Sequence, residues 1–276
     1  MKRVRAILAL LFVTVAWGLT FPVQKMALTG SNPFFYNFFR FLLASFFTLF
    51  LFRNKPRWRE GLILGLFIGI GYATQTSGLK LTSSTKSGFI TSLYIPFVPI
   101  FSFLIERIKP TRLQLVSFFL SIVGLYLLSS PSSDVFNAGD LLTLFCAVAF
   151  AIQIVLVTRY TSQEGCEESS LLFPQFFLTA LFNLVLSPLG GPIGFKLSYL
   201  LALVFTALVA TVLAFWVQVK FQRDVGSNSA ALIYTAEPVF ASLFAFLMLA
   251  ERVTTSQAIG MCILVVSSIM GNLRRG

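Results

Sequence analysis

Ten long apolar segments, separated by short polar stretches, make up most of this sequence of 276 residues. A membrane-spanning helix needs about 20 mostly apolar residues, because its backbone polar groups must bond to each other in lipid. Only 11% of the residues are charged, against roughly 25% in a soluble globular domain. We therefore predict an all-α integral membrane protein with ten transmembrane helices. The predicted spans are Val4–Gln24, Pro33–Phe52, Gly61–Leu79, Ser87–Ile105, Leu113–Ser130, Leu141–Val157, Leu171–Leu189, Leu197–Val219, Ser227–Ala250 and Thr254–Leu273.

The distribution of basic residues predicts how these helices are oriented. Lysine and arginine are enriched in the cytoplasmic loops of membrane proteins. With the N-terminus in the cytoplasm, fifteen basic residues fall on the cytoplasmic side and five on the other. We therefore expect a multi-pass protein of the cell inner (cytoplasmic) membrane with both termini cytoplasmic. Because these residues cluster in short loops and not along one exposed face, the basic excess does not indicate nucleic-acid binding.

The two halves of the chain resemble each other over five predicted helices. Gln75 and Gln218 are 143 residues apart, and Ser84 and Ser227 have the same spacing. A repeat with an odd number of helices must cross the membrane in the opposite direction in its second copy. Such inverted repeats are typical of secondary transporters, whose substrate site lies near the membrane midplane. We predict two inverted five-helix repeats, in residues 1–132 and 137–276.

Two further patterns concern how the helices bend and pack. The repeat position of Pro238 in the ninth span is Ile95 in the fourth, where the proline is Pro96. This offset predicts that the two halves bend at different depths. In the third span, glycines recur every fourth residue over 61–69. Such a ridge of small residues predicts a closely packed neighbouring helix.

Several short motifs are distributed over the whole chain. They are Ala16–Gly18 with Pro22, Arg40–Phe41, Gly78–Ser84, Gly139–Asp140, Ala236–Val239, Glu251–Arg252 and Gln257–Gly260. With these motifs the chain resembles the drug/metabolite transporter superfamily, in its EamA-type ten-helix branch. The resemblance implies an inner-membrane carrier similar to bacterial exporters of amino acids and other metabolites. It does not imply a particular substrate.

Two charged residues lie deep inside predicted spans. Glu237 is the one carboxylate well within a span, where an unpaired charge is costly, so we expect it to face the bundle interior. It could bind a substrate amine, take part in proton coupling, or bond backbone groups that Pro238 leaves unpaired. Arg40 is its natural opposite charge. We interpret Arg40 as a member of a structural ion pair or as a side chain that reaches for the membrane surface.

Polar and aromatic residues at span depth predict a cavity between the matching helices of the two halves. Each of them alone is explained by interhelical hydrogen bonds or by anchoring at the membrane surface. As a set on matching helices they favour a substrate cavity. The candidate residues are Trp17, Tyr72, Gln75, Tyr94, Gln153, Trp216, Gln218, Tyr234 and Glu237.

The candidate cavity is mostly apolar and has few polar groups. It suits neutral or aromatic amino acids better than sugar phosphates, which would call for paired basic residues deep in the spans. The sequence has no histidine and no closely spaced cysteines, so we expect neither a metal site nor another cofactor.

We therefore predict a secondary transporter that moves small metabolites by alternating access and exports neutral or aromatic amino acids across the cytoplasmic membrane. Its expected partners are a small-molecule substrate and membrane lipid. A membrane-embedded enzyme is the alternative, although the sequence lacks paired intramembrane carboxylates and a phosphate-binding loop. A channel or structural membrane subunit is a further alternative, although no filter motif is present. The direction of transport, proton coupling or facilitated exchange, and a monomer or a homodimer are left open.

Overall fold

The computed structural model describes residues 2–29, 31–129, 136–192, 194, 196–250 and 252–273. Within these residues, nine helical spans are long and apolar enough to cross a membrane, and the apolar stretch of a tenth, α5, is shorter, Arg112–Leu128. The predicted all-α membrane fold is confirmed. Glu251, which belongs to one of the motifs, and Arg274 and Arg275, which are among the fifteen basic residues predicted to be cytoplasmic, lie outside the described residues. The spans are α1 Lys2–Ala27, α2 Pro33–Leu51, α3 Trp58–Leu81, α4 Lys86–Glu106, α5 Arg112–Ser129, α6 Ala138–Thr161, α7 Glu168–Leu189, α8 Leu197–Asp224, α9 Ser227–Leu249 and α10 Thr255–Asn272.

The helices of the two halves are interleaved. Helix α2 packs against its repeat counterpart α7, and α5 packs against its counterpart α10. Other contacts come in matched pairs: α1 packs on α8 and α9 of the second half, and α6 packs on α3 and α4 of the first. This is the inverted-repeat arrangement that the sequence predicts. Because the halves interleave, any site at their junction draws its residues from both.

Helices α4 and α9 are each broken in the middle, and the breaks occupy equivalent places in the repeat. A proline follows each break, Pro96 in α4 and Pro238 in α9, and neither can donate the backbone hydrogen bond that would continue the helix. The expectation that the two halves bend at different depths is therefore wrong, because each proline disturbs the turn before it. The helical pieces are Ser84–Thr91, which begins two residues before the α4 span, and Tyr94–Phe101 in α4, and Ser227–Tyr234 and Ala236–Leu249 in α9.

The predicted glycine ridge on α3 packs directly against α7. A Cβ atom added to Gly65 would lie 2.7 Å from the backbone oxygen of Gln175. A Cβ atom on Gly69 would meet the Phe182 side chain at 3.2 Å. The first contact is with backbone, which cannot move aside without shifting α7, whereas a phenylalanine ring can turn. The ridge is therefore confirmed as a close helix contact, and it is tighter at Gly65 than at Gly69.

We predict that Gly65→Ala destabilises the protein more than Gly69→Ala. Both changes gain the same helix propensity from alanine, so the difference reports the space available at each site. Overpacking against a rigid neighbour costs about 1–3 kcal/mol. Thermal unfolding midpoints of the two purified variants in the same detergent would measure it. Equal midpoints would contradict the packing described here.

Candidate functional site

A small cavity is enclosed by α1, α3, α4, α6, α8 and α9. Its volume is about 30 Å³, far below the roughly 300–1,000 Å³ of a typical ligand pocket. Six of the nine predicted cavity residues line it, and the structure therefore brings them together. The lining residues are Trp17, Thr20, Ile68, Tyr72, Gln75, Tyr94, Phe150, Gln153, Ile154, Phe215 and Glu237.

A hydrogen bond between the two broken helices lies at this cavity. The Tyr94 hydroxyl donates to Oε2 of Glu237 at 2.8 Å. The two residues are 143 positions apart, the spacing of the repeat, so equivalent residues of the two halves meet here. The same hydroxyl lies 3.5 Å from the backbone oxygen of Tyr234, whose usual helical partner would be the N–H that Pro238 lacks. The bond therefore fastens α4 to α9 at both breaks.

Glu237 has few partners for a carboxylate in this position. Its side chain is 4% exposed. In the part of the chain that the structure describes, the Tyr94 hydroxyl is its hydrogen-bond partner and no basic residue forms an ion pair with it. Glu237 itself does not bond the backbone near Pro238, which was one of the interpretations of its role. A buried carboxylate with a single neutral partner is stabilised by a cationic group, and the cavity is the place where one could bind.

Trp17 is held in the cavity wall by contacts on both sides. Its neighbour Gly18 packs so closely on α9 that an added Cβ atom would lie 2.7 Å from Cβ of Phe240. The indole Nε1 donates to the backbone oxygen of Ala210 at 3.0 Å. Ala210 belongs to a π-helical turn in α8, Leu208–Leu213, and such turns often occur at functional sites.

Most helices around the cavity carry an aromatic residue three positions before a polar one. Residues with this spacing share a helix face. Phe150 and Phe215 are not among the predicted cavity residues, although their spacing from Gln153 and Gln218 follows the same pattern and identifies them. The pairs are Trp17 and Thr20, Tyr72 and Gln75, Phe150 and Gln153, Phe215 and Gln218, and Tyr234 and Glu237.

Gln218 and Tyr234 lie behind the cavity wall and are fully buried. Nε2 of Gln153 donates to Oε1 of Gln218 at 3.3 Å. Oε1 of Gln222 accepts from Nε2 of Gln218 at 3.0 Å and from the Tyr234 hydroxyl at 3.1 Å. Nε2 of Gln222 continues to Oγ1 of Thr158 at 2.7 Å. This network joins α6, α8 and α9, and it closes the side of the cavity toward the ends of α6 and α8.

The opposite side of the cavity is closed by a buried ion pair. Nζ of Lys86, near the start of α4, lies 2.8 Å from Oδ2 of Asp140, near the start of α6. The Asp140 side chain is fully buried, and its Oδ2 also accepts from the backbone N–H of Asn137 at 2.9 Å. Nearer the cavity, Nε2 of Gln75 donates to Oγ1 of Thr91 at 3.2 Å. The ion pair at this end joins the two halves, whereas the network around Gln222 at the other end lies within the second half.

Trp216 lies apart from the other candidates. Its ring stacks on Phe52 with centroids 6.2 Å apart, and Nζ of Lys220 lies 4.5 Å from its centroid. It lines a separate apolar cavity of about 490 Å³ between α2 and α8. The residue before it, Phe215, occupies the central cavity wall instead.

Arg40 is fully buried, so its side chain does not reach the membrane surface. Its Nε donates to Oγ1 of Thr211 at 2.8 Å, and its Cζ lies 4.5 Å from the ring centroid of Tyr72. Among the described residues it forms no ion pair, so the predicted pair with Glu237 is not present. Tyr72 accounts for this, because its ring lines the cavity and the guanidinium packs against it from outside the lining.

Comparison with known proteins identifies the family. The sequence matches the EamA-like transporter family twice, over residues 4–130 and 137–273. An "Uncharacterized transporter" of Archaeoglobus fulgidus is 35% identical over 99% of this chain and 87% of that protein. A "Probable amino-acid metabolite efflux pump" of Escherichia coli (strain K12) is 24% identical over 99% of this chain and 96% of that protein.

A solved crystal structure supports the same fold. It superposes with a TM-score of 0.77 at 20% identity, covering 97% of this chain and 96% of that one. The family and the names of the relatives indicate a transporter and not an enzyme. This ten-helix membrane protein belongs to the EamA-like transporter family, within the drug/metabolite transporter superfamily.

Proposed function

We propose that this transporter exports neutral or aromatic amino acids, and that Glu237 binds the substrate ammonium group. The observation that carries the proposal is a buried carboxylate in the cavity wall with one neutral partner among the described residues. A substrate ammonium would supply the missing positive charge. Two relatives named "Probable amino-acid metabolite efflux pump", from Escherichia coli and Salmonella typhimurium, are consistent with this substrate class.

The rest of the cavity wall suits an apolar side chain. Trp17, Tyr72, Phe150 and Phe215 surround the carboxylate, and their rings offer a large apolar contact area. The few other polar groups are neutral, such as the amides of Gln75 and Gln153. Because Glu237 is the one charged group in the wall, anionic side chains are disfavoured by like-charge repulsion.

The two closures of the cavity support transport by alternating access. A cavity of about 30 Å³ cannot hold an amino acid, so substrate must enter through one end that has opened. The ion pair of Lys86 and Asp140 closes one end, and the network around Gln222 closes the other. In an inverted repeat, opening one end is related to opening the other by the pseudo-symmetry of the two halves. The breaks in α4 and α9 lie beside the site and could serve as hinges.

The membrane orientation and the energy source complete the proposal. We keep the prediction of an inner-membrane protein with cytoplasmic termini, on the basis of its basic loops, and of repeats at residues 1–132 and 137–276. In this orientation the Gln222 network lies on the cytoplasmic side and the ion pair of Lys86 and Asp140 on the outside. Exchange of a proton for a substrate ammonium at Glu237 would couple export to the proton gradient.

We expect counterflow in proteoliposomes with labelled neutral amino acids, including phenylalanine, tryptophan, methionine, leucine and threonine. Glu237→Gln keeps an oxygen that can accept from Tyr94 but removes the charge, so counterflow should fall roughly tenfold or more, the equivalent of about 1.4 kcal/mol. Glu164→Gln makes the same change at an exposed residue and should leave the rate unchanged.

Either of two results would count against this proposal. Folded wild-type protein that exchanges none of these amino acids would remove the substrate class. Full activity in Glu237→Gln would remove the ammonium site while the substrate class stood. A dependence of wild-type flux, but not of Glu237→Gln flux, on an imposed pH gradient would favour proton exchange over facilitated exchange.

We predict that Lys86→Met opens the outer end of the cavity, because it leaves Asp140 as a buried charge without its cation. The reporter is a cysteine at Thr20 in the cavity wall, in a variant without the native cysteines. Its labelling by a membrane-impermeant thiol reagent from outside should rise roughly fivefold, as expected for about 1 kcal/mol of population shift.

The matched control weakens the closure at the other end. The Gln222 side chain accepts from Gln218 and Tyr234 and donates to Thr158. Gln222→Leu should lower the labelling from outside, because the loss of these hydrogen bonds favours the state open to the cytoplasm. Equal increases in both variants would indicate general loosening and would contradict two separate closures.

A further inference from the structure

Arg40 is a buried cation without a counter-ion among the described residues. It is 0% exposed, and no carboxylate among the described residues forms an ion pair with it. An isolated positive charge in the hydrocarbon region is costly and is usually paired or functional. The guanidinium is therefore a candidate binding site for an anionic group.

The hydrogen bonds of the guanidinium leave one side of it free. Nε donates to Oγ1 of Thr211 at 2.8 Å, and Nη2 lies 3.5 Å from the Tyr72 hydroxyl, a long contact. Nη1 has no hydrogen-bond partner among the described residues. The free Nη1 and the weakly bonded Nη2 are the pair of nitrogens that bind a carboxylate through two parallel hydrogen bonds.

One layer of side chain separates Arg40 from the central cavity. The Tyr72 ring lines the cavity, and its centroid lies 4.5 Å from Cζ of Arg40. A second link runs through the π-helical turn of α8, where Thr211 binds Arg40 and the preceding Ala210 accepts the indole N–H of Trp17. A turn of the Tyr72 side chain would therefore join the guanidinium to the space that Glu237 faces.

We propose that Arg40 binds the α-carboxylate of the substrate when the Tyr72 ring moves aside. This inference rests on the proposed function, in which Glu237 binds the ammonium group. In the closed state the guanidinium is stabilised by the rings of Tyr72 and Phe41, with Cζ 4.5 and 5.2 Å from their centroids. Together, Arg40 and Glu237 select a zwitterion.

The two charges also exclude other ligands. A phosphate or a dicarboxylate would bring an additional negative charge into the space that Glu237 faces, where it would be repelled. An amine without a carboxylate would satisfy Glu237 but leave Arg40 unpaired. A free α-amino acid is the ligand that meets both requirements, and its side chain then lies among the aromatic rings.

The test compares phenylalanine with two analogues that lack the carboxylate charge, phenylethylamine and phenylalaninamide, as inhibitors of counterflow of a labelled amino acid. Wild-type protein should bind the analogues roughly tenfold more weakly or worse, the range expected for a lost charge-assisted hydrogen bond. Arg40→Gln should weaken inhibition by phenylalanine to the level seen with phenylethylamine, and it should leave inhibition by phenylethylamine unchanged. Arg40→Lys should recover part of the difference, because it restores the charge without the bidentate geometry.

Thr211→Val provides a second variant that leaves Arg40 in place. The change removes the hydroxyl that accepts a hydrogen bond from Nε of Arg40 and alters the shape of the side chain little. It should therefore weaken inhibition by phenylalanine and not by phenylethylamine. Wild-type protein that exchanges amino acids but is inhibited equally by both analogues would overturn the role of Arg40 while the proposed function stood. So would discrimination that survives in folded Arg40→Gln and Thr211→Val. Absence of any amino-acid exchange in the wild type would overturn both proposals.

Discussion

A carboxylate inside a bilayer requires a compensating partner, because the hydrocarbon supplies neither water nor counter-ions. In this protein the requirement is met only in part, by the hydroxyl of Tyr94 on Glu237. The bond joins repeat-equivalent residues of the two broken helices, so the junction of α4 and α9 depends on it. The small residue Gly18 then brings α1 against α9 at the same level, which places Trp17 beside the carboxylate. The cavity wall is assembled around this contact.

The two closures of the cavity are made of different interactions, so the free energy needed to open one end differs from that needed to open the other. One end is held by an ion pair with a fully buried aspartate, Asp140. The other is held by neutral amides and hydroxyls around Gln222. A buried ion pair is costly to break because each charge loses its partner, whereas amide hydrogen bonds exchange with water at little net cost. The inverted repeat therefore has symmetric helices but asymmetric closures.

The sequence predicts the features that depend on the length and spacing of segments, which are the spans and the pairing of repeat positions. It does not predict which side chains of a helix face the cavity, because that depends on how the helix is rotated. Ten spans follow from apolar runs of membrane length, and the 143-residue spacing pairs Tyr94 with Glu237 before any contact is known. The rotation of a helix about its axis is set by packing, which the sequence does not show. The sequence therefore predicts Trp216 in the central cavity, whereas its neighbour Phe215 occupies it. Arg40 was paired with Glu237 on charge alone, and nothing in the sequence shows that the Tyr72 ring stands beside its guanidinium.

The separation of Arg40 from Glu237 is the feature that makes a binding site out of two buried charges. If the two formed an ion pair, each would be satisfied and neither would gain by binding a ligand. With Arg40 held against the ring of Tyr72 and Glu237 on the hydroxyl of Tyr94, both remain undercompensated in the closed state. A zwitterion lowers the free energy of both at once, and the cost of keeping them apart becomes a source of binding energy. Two tyrosines at the junction of the halves thus keep the opposite charges available to a substrate.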